Sequence, residues 1–242
     1  MNKDLLLLGA NAPEMELLRT RLVRIGYRVV PGKTPEQAHA LLRVGGTRIG
    51  AVLVPSDLPV VSLRPALEFM RKISPSRSLT FVGAGRDPGP DGRERMRQAG
   101  IQIALFEPMD LHTLRFQVNR ALAGGIPMHR ARQTLRAPVD WPVIARSGAR
   151  QKEGRVYSIS ASGAFLAIAQ PWMVKARVEV RLATPDTGNI EAAGRVVMTN
   201  VPGNVMRRNL PFGMAVHFDH LSEHASVALL MCAEKRARSL AL

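Results

Sequence analysis

Short apolar runs alternate with amphipathic stretches over the first half of the chain. "LLLL" at 5–8 has the continuous apolar character of a strand buried on both faces. Pro13 suits the first position of a helix, and "EMELLRTRLVRIG" carries helical spacing. "YRVV" at 27–30 is the second predicted strand. "TPEQ" at 34–37 forms a capping box, with Thr34 at the cap, Pro35 at the first helical position and Gln37 three residues on. "IGAVLV" at 49–54 is the third strand, "RPALEFMRKI" a helix and "LTFVGAG" the fourth strand. "DGRERMRQAG" is a helix stopped by Gly100, and "IQIALF" is the fifth strand. Asp110 caps "LHTLRFQVNRALAGG", which ends on paired glycines. Strands alternating with helices predict a parallel sheet covered on both faces.

After "AGGIP" at 123–127 the period changes. "APVDWPVIA", "GRVYSIS", "GAFLAIA", "ARVEVRLA", "AAGRVVMT" and "FGMAVHF" are short, partly alternating runs between turn residues. Six such strands followed by one helix predict a small closed barrel. Ser222 caps the final helix, "EHASVALLMCAEKRARSL", and Lys235, Arg236 and Arg238 suit its negative end. The expected fold class is therefore α/β plus all-β. A doubly wound parallel five-stranded domain spans residues 1–123, and a linker follows at 124–131. A six-stranded antiparallel barrel with a C-terminal helix spans residues 132–242.

Composition narrows the partners. The chain of 242 residues carries 34 Lys and Arg against 19 Asp and Glu, a formal net charge of +15. That balance favours an anionic partner such as a nucleotide, a nucleic acid or an acidic protein. The charge is spread: residues 1–125 hold 18 basic and 11 acidic side chains, and residues 126–242 hold 16 and 8. Aromatic residues make up 5%, too few for a base-stacking platform. With no helix-turn-helix pattern either, specific nucleic-acid binding is not expected. Cys232 stands alone, so neither an internal disulfide nor a cysteine metal site is expected. No run approaches the roughly 20 apolar residues of a membrane span, and four leucines are too few for a signal-peptide core. A cytoplasmic protein without a membrane partner is expected.

Three landmarks in the first half, "LLLLGAN", "VLVPSDLP" and "FEPMD", resemble those of a response-regulator receiver domain over residues 3–123. In that family an aspartate at the end of the third strand accepts a phosphoryl group. Acidic residues after the first strand hold Mg²⁺, and a lysine before a proline neutralises the phosphoryl oxygens. Such chemistry needs hard oxygen ligands and a cation. This chain departs at each position. Gly9 and Ala10 replace the acidic pair, Asn11 follows, Pro55 stands at the acceptor position and Glu107 at the lysine position. Asp57 lies two residues beyond the acceptor position. The resemblance implies a pseudo-receiver that docks a protein partner or a second copy as a homodimer, without phosphotransfer.

The second half opens with "HRARQTLRAPV" at 129–139, an arginine-rich stretch. Twenty-two residues after Arg136 comes "SISASGAFL", starting at Ser158. The two stretches, in this order across a six-strand pattern, resemble the PilZ domain, a bacterial receptor family for cyclic di-GMP, over about residues 129–240. The family motifs are Arg-x-x-x-Arg in an N-terminal loop and Asp/Asn-x-Ser-x-x-Gly on the following strands. Arg132 and Arg136 match the first; Ser160 and Gly163 match the second. Ser158 stands at the Asp/Asn position. Cyclic di-GMP is a dianion with two guanines, and an arginine fork suits both phosphate oxygens and the O6/N7 edge of guanine. The resemblance implies that Arg132 and Arg136 close over the ligand. Ser160 then offers a hydroxyl, Gly163 lets the backbone turn or approach, and Ser158 supplies a shorter contact than a carboxylate.

Other signals carry less. His217, His220 and His224 lie close in sequence, but the alternation of "MAVHF" sets neighbours on opposite faces, and no metal site is expected. "GAGRDPG" at 83–89 has glycines without a phosphate-loop lysine. No nucleophile–base pair or paired carboxylates stand out, so an enzyme is not expected, nor any cofactor beyond the ligand. The leading expectation is a signalling effector that changes domain arrangement or partner binding when it captures cyclic di-GMP. Its rival is a ligand-independent protein-interaction adaptor built from two degenerate domains.

Overall fold

The computed structural model describes residues 3–45, 48–58, 63–124, 135–185, 188–206 and 209–242. The chain divides into two compact units, Met1–Pro127 with Leu240–Leu242, and Met128–Ser239. The expected linker at 124–131 lies outside the described residues except for Gly124. The expected second domain ran to Leu242, whereas the last three residues cluster with the first unit.

The first unit contains strands β1 (Asp4–Leu8), β2 (Val29–Gly32), β3 (Ile49–Pro55), β4 (Thr80–Arg86) and β5 (Ile103–Glu107). Helices α1 (Pro13–Arg24), α2 (Pro35–Val44), α3 (Leu63–Ile73), α4 (Gly89–Gln98) and α5 (Leu111–Leu122) alternate with them. The five strands are parallel in the order β2-β1-β3-β4-β5, so the sheet is doubly wound with its switch point between β1 and β3. β1 and β3 are buried along their whole length, as continuous apolar runs require. Leu5, Leu7, Val82 and Leu105 join α1 and α5 in one core; Leu6, Val52, Phe81 and Phe106 join α2, α3 and α4 in the other.

β2 begins at Val29, not at Tyr27. The Tyr27 ring is buried, and its hydroxyl lies 2.7 Å from Asn119 Oδ1 on α5, so this side chain is an anchor outside the strand. The cap of α2 is half of the expected box. Gln37 N–H donates to Thr34 Oγ1 at 3.2 Å, but the Gln37 side chain accepts from Lys33 N–H, one residue before the cap. Ahead of α4, the Arg93 guanidinium and the Gly89 N–H hold the Asp87 carboxyl below the ordinary aspartate range.

The second unit is a closed barrel in the order β10-β11-β8-β7-β6-β9. Its strands are β6 (Ala137–Ser147), β7 (Arg150–Ser160), β8 (Gly163–Ala167), β9 (Arg177–Thr184), β10 (Gly188–Asn200) and β11 (Gly213–His220). All six neighbouring pairs are antiparallel, and closure removes the free edges. Register shifts interrupt β6, β7 and β10, where bulges let short strands bend around a small core. α6 (Glu223–Ser239) follows, with Ser222 Oγ accepting from Ala225 N–H at 3.2 Å. Ala225, Ala228, Leu229 and Ala233 line its buried side and belong to the barrel core.

Candidate ligand-binding face of the barrel

The Arg136 end of the first motif and the serine–glycine motif are set by one strand register. Ala137 pairs with Ile159 and Pro138 with Ser158. Arg136 directly precedes β6, so the chain delivers it to the Ser158–Ser160 end of β7. Ile159 belongs to the barrel core. Alternation along β7 therefore turns Ser158 and Ser160, on either side of it, away from that core. Both side chains are nonetheless shielded, with Ser158 3% and Ser160 0% exposed. Tyr157 sits where the β7–β8 register shifts and meets Phe165 edge-on at 5.7 Å between ring centroids.

Ser160 and Gly163 form the last pair before the β7–β8 turn. The Ser160 hydroxyl donates to the Gly163 carbonyl at 3.2 Å, which leaves its oxygen lone pairs as acceptors. Gly163 also pairs with His217 on β11. A Cβ at Gly163 would lie under 3.0 Å from the Val216 carbonyl oxygen. The backbone whose approach demands this glycine is thus β11. Arg130 and Arg132 lie outside the described residues.

One neighbour had no signal in the sequence. Arg236, in the last turn of α6, points its Nε at the Pro138 carbonyl from 3.3 Å. Pro138 is the residue opposite Ser158, so the end of α6 is pinned beside the start of β6. A basic residue in a last helical turn ordinarily answers the helix dipole. Its tertiary contact could not be read from spacing.

In the first unit, Pro55 closes β3 at the centre of the sheet, opposite Ala84. Gly9 follows β1 with φ +63°, and a Cβ there would touch Pro55 Cγ at 3.0 Å. Glu107 at the end of β5 is ion-paired with Arg21 of α1, and its other oxygen accepts from Met109 N–H at 2.8 Å. A carboxylate bound to the unit's own arginine thus occupies the position where the resemblance implies a free cation. Asp57 lines a cavity of about 160 Å³ with Pro55, Leu63, Arg95 and Met96. No group of three or more His, Cys, Asp or Glu side chains among the described residues could hold a metal ion.

Residues 130–234 match the family model described as the PilZ domain. This stretch is a PilZ domain. It takes in Arg130, Arg132, Arg136, Ser158, Ser160 and Gly163, together with β6 to β11 and most of α6. No curated protein matches the chain. Among solved structures, the Bacillus subtilis inhibitor of motility MotI/DgrA is 18% identical, with a TM-score of 0.39, over 45% of this chain. The chain spans about half of that protein, 52% of its length. The PilZ domain of Escherichia coli YcgR, solved with c-di-GMP, is 16% identical with a TM-score of 0.35, over 45% of this chain and 95% of that one. The receiver domain of the sensor histidine kinase PA1611 from Pseudomonas aeruginosa, solved with magnesium, is 23% identical with a TM-score of 0.43. It covers 51% of this chain and 99% of its own. The PilZ domain here is preceded by a receiver-like sheet, and no helix among the described residues is long and apolar enough to cross a membrane.

Proposed function

We propose that the chain is a non-enzymatic signalling protein whose PilZ domain captures cyclic di-GMP through Arg132, Arg136, Ser158, Ser160 and Gly163. The observation that carries this reading is the β6–β7 register, which joins the Arg136 end of one motif to Ser158 and Ser160 of the other. Arginine guanidinium groups offer paired donors to phosphate oxygens and to the guanine edge. The serine hydroxyls offer single contacts from the strand. Gly163 acts through the turn, by holding β8 against β11. Because Ser158 and Ser160 are shielded, their use by a ligand requires the groups covering them to move. Ligand capture then shifts the arrangement of the two units, provided that one arrangement binds the ligand better.

Titration calorimetry tests the reading directly. Cyclic di-GMP is expected to bind the full chain. Arg132→Ala and Arg136→Ala are each expected to weaken binding about tenfold or more, since each removes a charged hydrogen bond worth roughly 1.5–3 kcal/mol. The effects should be non-additive because both side chains hold one ligand. Ser158→Asp should strengthen binding if the position faces guanine N–H donors. Undetectable binding at about 100 μM ligand would reject the proposal, since that corresponds to an affinity weaker than about −5.5 kcal/mol.

A second reading has its own observation. Ser160 already donates within its turn, and Gly163 is required by β11. Both motif residues therefore have structural work without any ligand, as a protein-interaction adaptor would retain. Wild-type calorimetry separates the two readings.

A further inference from the structure

Leu240–Leu242 leave the barrel's last helix and become part of the first unit. β5 is an outer strand of the parallel sheet, so no sheet strand lies along its far side. Ala241 forms an antiparallel bridge to Ile103 at the start of β5. Beside this bridge stands Gln117 of α5, which is 0% exposed. Its Nε2 donates to Ala104 O on β5 at 3.2 Å and to Leu240 O at 2.9 Å. One side-chain amide therefore grips two backbones. Its Oε1 is also buried and has no partner among the described residues. Leu240 is 7% exposed, and Leu242 packs against the core shared by β3, α3 and α4.

A buried amide that recognises main-chain carbonyls selects extended backbone and not a particular side chain. The flanking leucines supply apolar contact, and no charge is needed. A spare acceptor at the same place fits an incoming N–H. Strand addition to a sheet edge works in this way, with main-chain hydrogen bonds giving affinity and alternate side chains giving selectivity.

We propose that the β5 edge and Gln117 form a binding site for an extended apolar peptide strand. Leu240–Leu242 occupy it as a resident, displaceable segment. The partner that fits is a protein segment with a bulky–small–bulky apolar pattern like Leu240-Ala241-Leu242. Three residues, one bridge and one side-chain hydrogen bond make a short contact, which a longer matching strand outcompetes. This site is independent of the ligand chemistry assigned to the barrel.

The test uses the full chain with Leu240→Asp and Leu242→Asp together, which disfavours burial of the resident segment. The probe is a fluorescein-labelled peptide, RARSLAL, the sequence of residues 236–242. Fluorescence anisotropy is expected to show the double variant binding the peptide at least about tenfold more tightly than the wild type, as an emptied site should. Adding Gln117→Ala should remove that gain. A folded double variant that binds the peptide no better than the wild type overturns the proposal. If the double variant fails to fold, amide exchange on the wild type decides. Slow exchange at residues 240–242, accelerated by Gln117→Ala while β4 stays protected, supports the site. Fast exchange at residues 240–242 in the wild type overturns it.

Discussion

Gly163 and Ser158 show how differently two motif residues act once they are folded. Gly163 faces β11, and any Cβ there meets a backbone oxygen that cannot rotate away. Gly163→Ala is therefore expected to destabilise the barrel by about 1–3 kcal/mol, the range for overpacking a tight site. Urea unfolding followed by tryptophan fluorescence checks this, since Trp141 and Trp172, the two tryptophans of the chain, both pack against the barrel core. An unchanged midpoint would mean that β11 yields at no cost. Ser158, by contrast, was legible as a departure from the family pattern, but its shielding was not. Nothing along "SISASG" shows that residues two apart on an outward side are covered. Arg236 makes the same point: its sequence position speaks of a helix end, and only the fold brings Pro138 to it.

At the scale of elements, the helix starts were the most readable features because caps are local chemistry. Asp110 was expected to cap α5. In the structure its Oδ1 accepts from Thr113 N–H at 2.7 Å and its Oδ2 from the Thr113 hydroxyl at 2.7 Å. Asp110→Ala should lower the stability of the first unit by about 1 kcal/mol. Thermal unfolding monitored by helical circular dichroism measures this, and an unshifted transition would show that the cap is redundant. Strand boundaries were less readable. Tyr27 has the aromatic character of a strand residue, yet its hydroxyl finds Asn119 on α5 and the strand starts two residues later. Propensity describes a residue's preference, whereas its hydrogen-bond partner depends on elements distant in sequence. The barrel strands were legible as six runs, but not their bulges, which arise when a closed sheet must bend.

At the scale of the molecule, the first unit has a receiver-like parallel sheet, and the positions where the sequence resemblance implies phosphotransfer chemistry carry other residues. Pro55 ends β3 without a carboxylate, and Glu107 is bound to Arg21. Acetyl phosphate with Mg²⁺ is therefore expected to leave the intact mass of the full chain unchanged. A stoichiometric phosphoryl adduct within residues 1–123 would refute this and turn attention to Asp57 beside its cavity. The positions themselves were readable from motif spacing. The ion pair that neutralises Glu107 was not, because Arg21 lies 86 residues away.

The sequence alone determined the alternation of strands and helices, the switch to short barrel strands after "AGGIP", and the helix caps. It also placed two arginine and serine–glycine motifs in order. Each of these depends on neighbours within a few residues, where side-chain period, glycine or proline geometry and capping chemistry act directly. Only the tertiary structure decided that β6 pairs with β7 with Ala137 opposite Ile159 and Pro138 opposite Ser158, and that β11 demands Gly163. It alone decided that Leu240–Leu242 join β5 under the grip of Gln117. Those outcomes depend on register, closure and edge pairing between segments distant in the chain. There the energy comes from which surfaces fit together, and no local window contains both partners.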